Sequence, residues 1–371
     1  MTDMHTRLID AAAKVEPSGR ELERVKSLAR RRRISRQVTT MSVAALLGGL
    51  GFLLVVRALP TGDAPTPATT SPTGTIVFLK SDPKQIAFGH DTFLYANPTV
   101  VSLDLETRSA SHLAEGAQQV QSAVISLDGS RVAFSIGRLR SGVARWATYV
   151  VEADGNPRRV FDCRSPGCQT FPFAWSPNGQ ELAVYSNDSM RGEIWIVSAD
   201  GQSKRPLVET GSYFGGGAWS PDGRTIALSG GGFGHPSIVL VDALTGAMDR
   251  EISMTDVKLV TGLSWSPNGR TLALSGQTDA ESASIFTFRL ANGDIHQVTN
   301  CERCKDLGPA WSPDGRFIAF TRGSDWASDL FVVNVDGEST TRLSSTETIE
   351  CCPSWAAGSV EGFASLAEVS R

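Results

Sequence analysis

The stretch Trp219-Ser220-Pro221-Asp222-Gly223-Arg224-Thr225-Ile226-Ala227-Leu228 (WSPDGRTIAL) decides the fold, because the chain repeats it. Three close copies, one degenerate copy and one truncated copy follow the same pattern; they begin at Trp175, Trp265, Trp311, Ile125 and Trp355. Successive copies lie 44 to 50 residues apart. A repeat of this length, rich in aromatic and β-branched residues, is typical of a β-propeller, whose blades are four-stranded sheets around a central channel.

The repeated motif predicts a tight turn between two strands. Proline presets the first corner, Asp or Asn bonds back to the local backbone, and Gly accepts a positive φ. Asn178 and Asn268 replace Asp222 and Asp314 in two copies, which indicates turn chemistry instead of catalysis or metal binding. A third strand follows each copy, and its Asp-Gly, Asn-Gly or Thr-Gly ending predicts a hairpin into an outer strand. We interpret the repeated tryptophans as scaffold residues that pack one blade against the next: Trp175, Trp219, Trp265, Trp311 and Trp355.

The two ends of the repeat predict how the ring closes. Residues 75–79, 99–103 and 108–113 match the second, third and outer strands of a blade that lacks its first strand. The truncated copy around Trp355 supplies a first strand and lacks the rest. We therefore expect both ends to share one sheet, which gives an all-β fold with six blades over residues 74–360.

Three segments precede the repeat. Residues 1–36 carry ten Lys or Arg against five Asp or Glu and predict a basic cytoplasmic tail, largely disordered or forming short helices. Residues 37–57 begin with twenty uncharged residues, and a helix of that length spans about 30 Å, the thickness of the bilayer hydrocarbon. Residues 58–73 are rich in Pro and Thr and predict an extended linker. Residues 361–371 form a short C-terminal tail in this interpretation.

The charge distribution predicts the orientation of the apolar segment. Arginines crowd its N-terminal side and Arg57 alone follows it, so the positive-inside rule places the tail in the cytoplasm and the propeller outside. A secretory signal peptide is the competing interpretation. The long basic region and the missing A-x-A cleavage pattern favour an uncleaved, single-pass membrane anchor. The acidic remainder of the chain argues against nucleic acid as a partner.

One copy of the motif carries a family resemblance. Pro309-Ala310-Trp311-Ser312-Pro313-Asp314-Gly315, followed by residues 317–320, resembles the WD40-like (PD40) repeats of TolB-type propellers. The resemblance covers about 285 of the 371 residues. It implies the propeller fold and an extracytoplasmic setting, with protein binding as the commonest use. The membrane anchor in front and the lack of a hydrolase domain behind depart from the known members.

Six cysteines form three close pairs, each between an outer strand and the next tryptophan. They are Cys163 with Cys168, Cys301 with Cys304, and Cys351 with Cys352. We expect disulfides on one face of the propeller, because clustered cysteines outside the membrane are usually bonded. A bridge between Cys163 and Cys168 is the simplest. Adjacent cysteines have Cα atoms about 3.8 Å apart, too close for an unstrained bridge, so we expect the other four to form two bridges between their loops. A zinc site with these four cysteines as its ligands, or free thiols, are the alternatives.

No catalytic motif stands out in the chain. G-x-S-x-G and H-E-x-x-H are absent, and the five histidines show no ligand spacing, so we expect neither an enzyme nor a cofactor. The glycine-rich segment 229–236 predicts a loop instead of a phosphate cradle, since no helix follows it. Three functional hypotheses remain: a membrane-anchored module that binds a protein or an envelope polymer, a sensor whose tail contacts a regulator such as a sigma factor, and a propeller-based lyase or hydrolase.

Overall fold

The computed structural model describes residues 71–81, 87–89, 92–94, 98–114, 120–140, 143–152, 156–162, 165, 167–188, 191–210, 214–230, 235–277, 282–300, 302–324, 327–345 and 348–358. The predicted tail 1–36, membrane span 37–57 and C-terminal tail 361–371 lie outside these residues, as does the predicted linker apart from residues 71–73. Within the described ranges, we find no helix that is long and apolar enough to cross a bilayer.

The regular elements of the described residues are β-strands, which confirms the all-β expectation. In chain order the strands are β1 (Thr75–Ser81), β2 (Ala87–Gly89), β3 (Thr92–Leu94), β4 (Thr99–Asp104), β5 (Ala110–Ala114), β6 (Val120–Ile125), β7 (Arg131–Arg140), β8 (Val143–Glu152), β9 (Arg158–Asp162), β10 (Gln169–Trp175), β11 (Glu181–Asp188), β12 (Arg191–Ser198), β13 (Lys204–Thr210), β14 (Gly217–Trp219), β15 (Thr225–Gly230), β16 (Ser237–Asp242), β17 (Met248–Ser253), β18 (Leu259–Trp265), β19 (Thr271–Gln277), β20 (Ala283–Arg289), β21 (Ile295–Gln297), β22 (Lys305–Trp311), β23 (Phe317–Ser324), β24 (Ala327–Asn334), β25 (Thr340–Arg342) and β26 (Ile349–Ala356).

The strands pair as antiparallel four-stranded units. Strands β6–β9, β10–β13 and β14–β17 each form a separate sheet in chain order. The sets β18–β21, β22–β25 and β26-β1-β4-β5 repeat this pattern inside a larger sheet. Single parallel pairs, Ala283 with Lys305 and Ser328 with Ile349, connect these three sets. Strands β2 and β3 form a small hairpin in the connection between β1 and β4.

The last strand joins the first, as the truncated motif predicts. In the β26–β1 ladder, Ile76 lies opposite Trp355. The indole Nε1–H of Trp355 donates to the carbonyl oxygen of Thr73 at 3.0 Å. Ser354 Oγ also accepts from the N–H of Ile125, on β6 of the next unit, at 3.2 Å. The equivalent bond between two internal units joins Ser264 Oγ and Trp311 N at 3.0 Å. The unit that contains both ends of the repeat therefore contacts its neighbour as an internal unit does.

The hydrophobic core lies between neighbouring sheets, because side chains alternate across each strand. On β11, Leu182 and Val184 pack into a cluster with residues of β8 and β9. The intervening Ala183 and Tyr185 pack into a different cluster, with residues of β14 and β15. Each sheet is therefore apolar on both faces, as expected for blades stacked side by side around an axis.

Candidate binding site at the first strands

The units present two different faces. The Ser-Pro-Asp/Asn-Gly turns join the first and second strands of a unit, and we call the edge that carries them the turn face. The connections between second and third strands, and those between units, reach the opposite edge, which we call the loop face. Cys168 and Cys304 directly precede β10 and β22 and so lie at the loop face.

The repeated turns are held by hydrogen bonds within themselves. Asp222 Oδ1 accepts from Ser220 Oγ at 2.6 Å and from the N–H of Arg224 at 3.1 Å. The bond from Ser220 is the main cause that lowers the pKa of Asp222, and the bond from Arg224 adds to it. Asn178 Oδ1 accepts from Ser176 Oγ at 2.7 Å in the same way. Because an amide oxygen makes the same bonds, the turn does not require a carboxylate. Asp314 and Asn268 accept the equivalent pair of bonds.

The motif tryptophans connect neighbouring units. Trp175 Nε1–H donates to the carbonyl of Val124, and Trp265 Nε1–H to that of Ala218, both at 3.1 Å and both in the preceding unit. Trp219 instead donates to Gly223 of its own turn. Trp175, Trp219, Trp311 and Trp355 are buried, and Trp265 is half-buried. All five indoles pack in or against hydrophobic clusters, as expected for scaffold residues.

The first strand of a unit is irregular three residues before its tryptophan. Gly262, Gly308 and Cys352 occupy this position with φ of 64°, 63° and 63°. A Cβ added to Gly216 would lie 3.0 Å from the Cα of Gly262, so neighbouring first strands touch here. Pro172 holds the same position in β10, where its carbonyl accepts from a serine of β6. We call these residues the inner bulges: Ser122, Pro172, Gly216, Gly262, Gly308 and Cys352.

Four aromatic rings cluster where β10 and β14 meet, and we call Phe171, Phe173, Tyr185 and Phe214 the aromatic shelf. Ring centroids are 4.5 Å apart for Tyr185 and Phe214, 5.1 Å for Phe173 and Phe214, and 5.9 Å for Phe171 and Tyr185. The three phenylalanines are half-buried. Tyr185 is buried, and this burial raises the pKa of its hydroxyl. A Cβ on Gly217 would lie 2.7 Å from the Phe173 ring, so glycine is needed there to seat the shelf.

A buried carboxamide lies on the adjoining unit. Gln121 is 7% exposed on β6, beside the inner bulge residue Ser122. Within the described part of the chain, neither Oε1 nor Nε2 of Gln121 has a hydrogen-bond partner. Ser122 Oγ donates to the carbonyl of Pro172 at 2.6 Å, so the strand carrying Gln121 adjoins the strand carrying Phe171 and Phe173. Leaving a buried polar group unpaired costs about 1 to 3 kcal/mol.

Two buried carboxylates occupy the position five residues before a tryptophan. Asp306 is fully buried and receives two bonds of 2.7 Å from Arg322, whose pKa these hydrogen bonds raise. The Arg322 guanidinium also lies 5.3 Å from the ring centroids of Phe320 and Phe331. Glu350, 1% exposed, accepts from the N–H of Leu330 at 2.9 Å and from a serine hydroxyl. Both carboxylates therefore brace the strands instead of offering free acid or base groups.

The cysteines differ from the sequence-based expectation. Cys351 and Cys352 are bonded to each other, with Cα atoms 3.7 Å apart, so the predicted bridges from these residues to the Cys301/Cys304 loop are wrong. The expectation relied on the usual Cα separation, whereas the positive φ of Cys352 accommodates the adjacent pair. Cys168 and Cys304 are disulfide-bonded. Cys163 and Cys301 lie outside the described residues, so the predicted Cys163–Cys168 bridge stays a prediction.

The zinc alternative loses its ligands in this arrangement, because sulfurs in disulfides are not thiolates. Three of its four proposed ligands, Cys304, Cys351 and Cys352, are bonded in disulfides. No group of three or more His, Cys, Asp or Glu residues is arranged to hold a metal ion in the ranges that the structure describes.

The shelf, the unpaired glutamine and the buried ion pair were not predicted from the sequence. A signal for the shelf existed, since no other copy of the motif has an aromatic residue at the positions of Phe171 and Phe173. Gln121 belongs to the degenerate copy, and nothing in its neighbours distinguishes it from a solvent-facing residue. Asp306 and Arg322 are 16 residues apart, and only the β22–β23 register brings them together.

Comparison with known proteins identifies the class. Residues 159–358, just over half of the chain, match the TolB beta propeller domain family, PD40. The chain therefore belongs to this family, as its motif resemblance predicts.

Individual relatives and solved structures show the following similarities. The Tol-Pal system protein TolB of Thioalkalivibrio sulfidiphilus is 32% identical over 106 residues, 28% of this chain and 23% of that protein. The chain thus spans less than a quarter of the length of this curated relative. The crystal structure of TolB from Acinetobacter baumannii superposes with a TM-score of 0.63 at 16% identity, covering 76% of this chain and 66% of that chain. Kuenenia stuttgartiensis hydrazine synthase gives 0.60 at 12% identity, over 76% and 46%. These structural likenesses show the fold alone.

Proposed function

We propose that this chain is a membrane-anchored, extracytoplasmic module, a propeller of six blades that binds a protein partner through the aromatic shelf. The observation that carries the proposal is the cluster of three half-buried phenylalanine rings and Tyr185 at the first strands. An envelope polymer is the second ligand class that this surface suits. The blade count rests on the repeat period and on the four-stranded sets, counting β26-β1-β4-β5 as the sixth.

The chemistry of the shelf favours a protein. Aromatic side chains contribute most of the binding energy at many protein interfaces, especially in partly desolvated pockets. Phe171 and Phe214 offer ring area without an ordering cost, because their neighbours already hold them in place.

The comparisons support the same class of partner. The relative from Thioalkalivibrio is named as a protein of the Tol-Pal system. The similar segment covers about a quarter of this chain, so a partner of this kind is part of the proposal.

Catalysis is not part of the proposal. Asp306 and Glu350 are buried carboxylates on the first strands β22 and β26, and both are already engaged in bracing hydrogen bonds. A general acid or base needs a proton-transfer atom within hydrogen-bond reach of a substrate.

The proposed anchor and the sensor hypothesis depend on the N-terminal sequence. Residues 37–57 are expected to hold the chain in the membrane, and deletion of this segment should move the propeller from the membrane fraction to the soluble fraction. The sensor hypothesis draws on the basic tail, which is long enough for a peptide that folds on binding. Deletion of residues 1–30 separates the two: if a transcriptional output is lost while membrane binding stays, the sensor is supported.

Affinity capture with shelf variants tests the binding proposal. The full-length chain, extracted in mild detergent, is compared with a Phe171→Ala and Phe214→Ala double variant. Leu244→Ala serves as the control, because Leu244 is 75% exposed in the β16–β17 turn, away from the shelf. We expect a partner that is enriched by wild type and the control and reduced at least tenfold by the double variant, since a hot-spot aromatic contributes about 2 kcal/mol. Equal capture by all three would refute the shelf as the binding surface.

A further inference from the structure

The disulfide between Cys351 and Cys352 has an unusual place in the fold. Cys352 occupies an inner bulge. The three preceding first strands have a glycine with a positive φ at this position. A Cβ on Gly308 would lie 3.6 Å from the Cα of Cys352, so the disulfide adjoins the bulge of the preceding unit. First strands line the central channel of a propeller. The bond therefore lies at the channel wall and at the β26–β1 seam.

The two cysteines differ in their surroundings. Cys351 lies opposite Leu79 and packs against the hydrophobic cluster that includes Leu79 and Val120. Cys352 is exposed. Cys168 is 1% exposed and Cys304 is half-buried, so Cys352 is the most accessible of the described disulfide cysteines.

We propose that Cys352 is a site of reversible thiol–disulfide exchange with a small thiol such as glutathione. The thiolate attacks Cys352 Sγ, a new S–S bond forms, and the Cys352–Cys351 bond breaks with Cys351 Sγ leaving as a thiolate. Electrons balance, because the incoming sulfur is oxidised to the mixed disulfide while Cys351 Sγ is reduced to the thiolate. Attack depends on access to the sulfur and on a competent leaving thiol. Cys351 remains the adjacent residue, so it can attack the mixed disulfide and expel the small thiol again.

Exchange here would change the channel. A glutathionyl group on Cys352 would project from the wall beside Gly308, where neighbouring first strands already touch. The modification would therefore occupy space in the channel, next to the inner bulges. This inference does not depend on the proposed function, because it concerns the reactivity of one bond.

Mass spectrometry on the full-length chain tests the proposal. Protein purified without reductant is equilibrated with graded ratios of reduced to oxidised glutathione, quenched in acid, alkylated and digested with trypsin. Both cysteines fall in the peptide 343–371, because Arg342 and Arg371 are its flanking cleavage sites. We expect this peptide to gain one glutathionyl group on Cys352 and one alkyl group on Cys351, at ratios where peptides containing Cys168 or Cys304 are unchanged. Free thiols at both positions before treatment, no exchange, attachment to Cys351, or earlier opening at Cys168 or Cys304 would each overturn the proposal.

Two variants protect the test from a folding artefact. Cys352→Gly introduces the residue that occupies the same bulge position in two other units, Gly262 and Gly308, so the backbone conformation is kept. We expect its circular dichroism spectrum to equal that of wild type and its peptide 343–371 to lose the mixed disulfide. Cys351→Ser leaves Cys352 without its bonded partner, and direct alkylation at Cys352 in the absence of glutathione should follow. A Cys352 that resists alkylation in this folded variant would show that its sulfur is inaccessible and would refute the proposal.

Discussion

Replacing Trp355 and Trp311 with phenylalanine measures how the seam between the two ends of the repeat is held. The two residues occupy the same motif position and are 6% and 8% exposed. Trp355 Nε1–H donates to the carbonyl of Thr73 at 3.0 Å, whereas Trp311 Nε1 has no hydrogen-bond partner among the described residues. Both variants lose a similar apolar area. Only Trp355→Phe also breaks a hydrogen bond and leaves a carbonyl without its donor.

The difference between the two variants has a predictable size. A hydrogen bond contributes about 0.5 to 1.5 kcal/mol net, and an unpaired buried polar group costs about 1 to 3 kcal/mol. Trp355→Phe loses a favourable hydrogen bond, whereas Trp311→Phe removes an unpaired N–H together with its cost. We therefore expect Trp355→Phe to lower the free energy of unfolding by about 1.5 to 4.5 kcal/mol more than Trp311→Phe does. Urea unfolding of the full-length variants, followed by far-UV circular dichroism, gives both values. Equal destabilisation, or a larger loss for Trp311→Phe, would refute this account of the seam.

Three further predictions follow from single contacts. Arg322→Met leaves the fully buried Asp306 without its partner, so we expect the free energy of unfolding in urea to fall by about 3 to 5 kcal/mol. The double variant with Asp306→Leu should recover most of this loss. An unchanged unfolding midpoint for the single variant would contradict the buried pair. Gly308→Ala should lower the melting temperature more than Gly293→Ala: both have positive φ, but the new methyl at 308 lies 3.3 Å from Pro353 Cδ, and that at 293 meets no atom within 4 Å. Hydrogen bonds from Ser220 and Arg224 lower the pKa of Asp222 below 3.8, so its carboxylate stabilises the fold above about pH 4 and this contribution is lost as the pH falls through the lowered pKa. Wild type should accordingly be more stable than Asp222→Asn at pH 7, with the difference in melting temperature vanishing in acid; a difference that grows in acid would contradict the cause assigned to the shift.

The sequence alone predicts the architecture well, because a repeat turns one local pattern into a whole fold. The turn around Asp222 and the strand ending at Trp355 were both foreseeable, the first from turn chemistry and the second from a motif that stops early. These features depend on residues that are close together in the sequence, so the sequence itself reveals them.

The binding surface was not foreseeable in the same way. Phe173 and Phe214 are 41 residues apart and meet only because their strands adjoin in space. The disulfide was mispredicted for a different reason: average Cα separations do not anticipate the positive φ of Cys352. Side-chain contacts of this kind depend on strand register and local backbone conformation, which cannot be predicted from sequence spacing.

Site-specific photocrosslinking in living cells tests the central claim most directly. A photoreactive phenylalanine analogue replaces Phe214 in the shelf, Leu244 at the outer turn, or Pro267 at the turn face, each in the full-length chain. Leu244 and Pro267 are exposed, so both report non-specific capture. We predict a discrete protein adduct from position 214 and none from 244 or 267. An adduct from 244 or 267 with none from 214 would contradict the claim that the shelf is the binding surface.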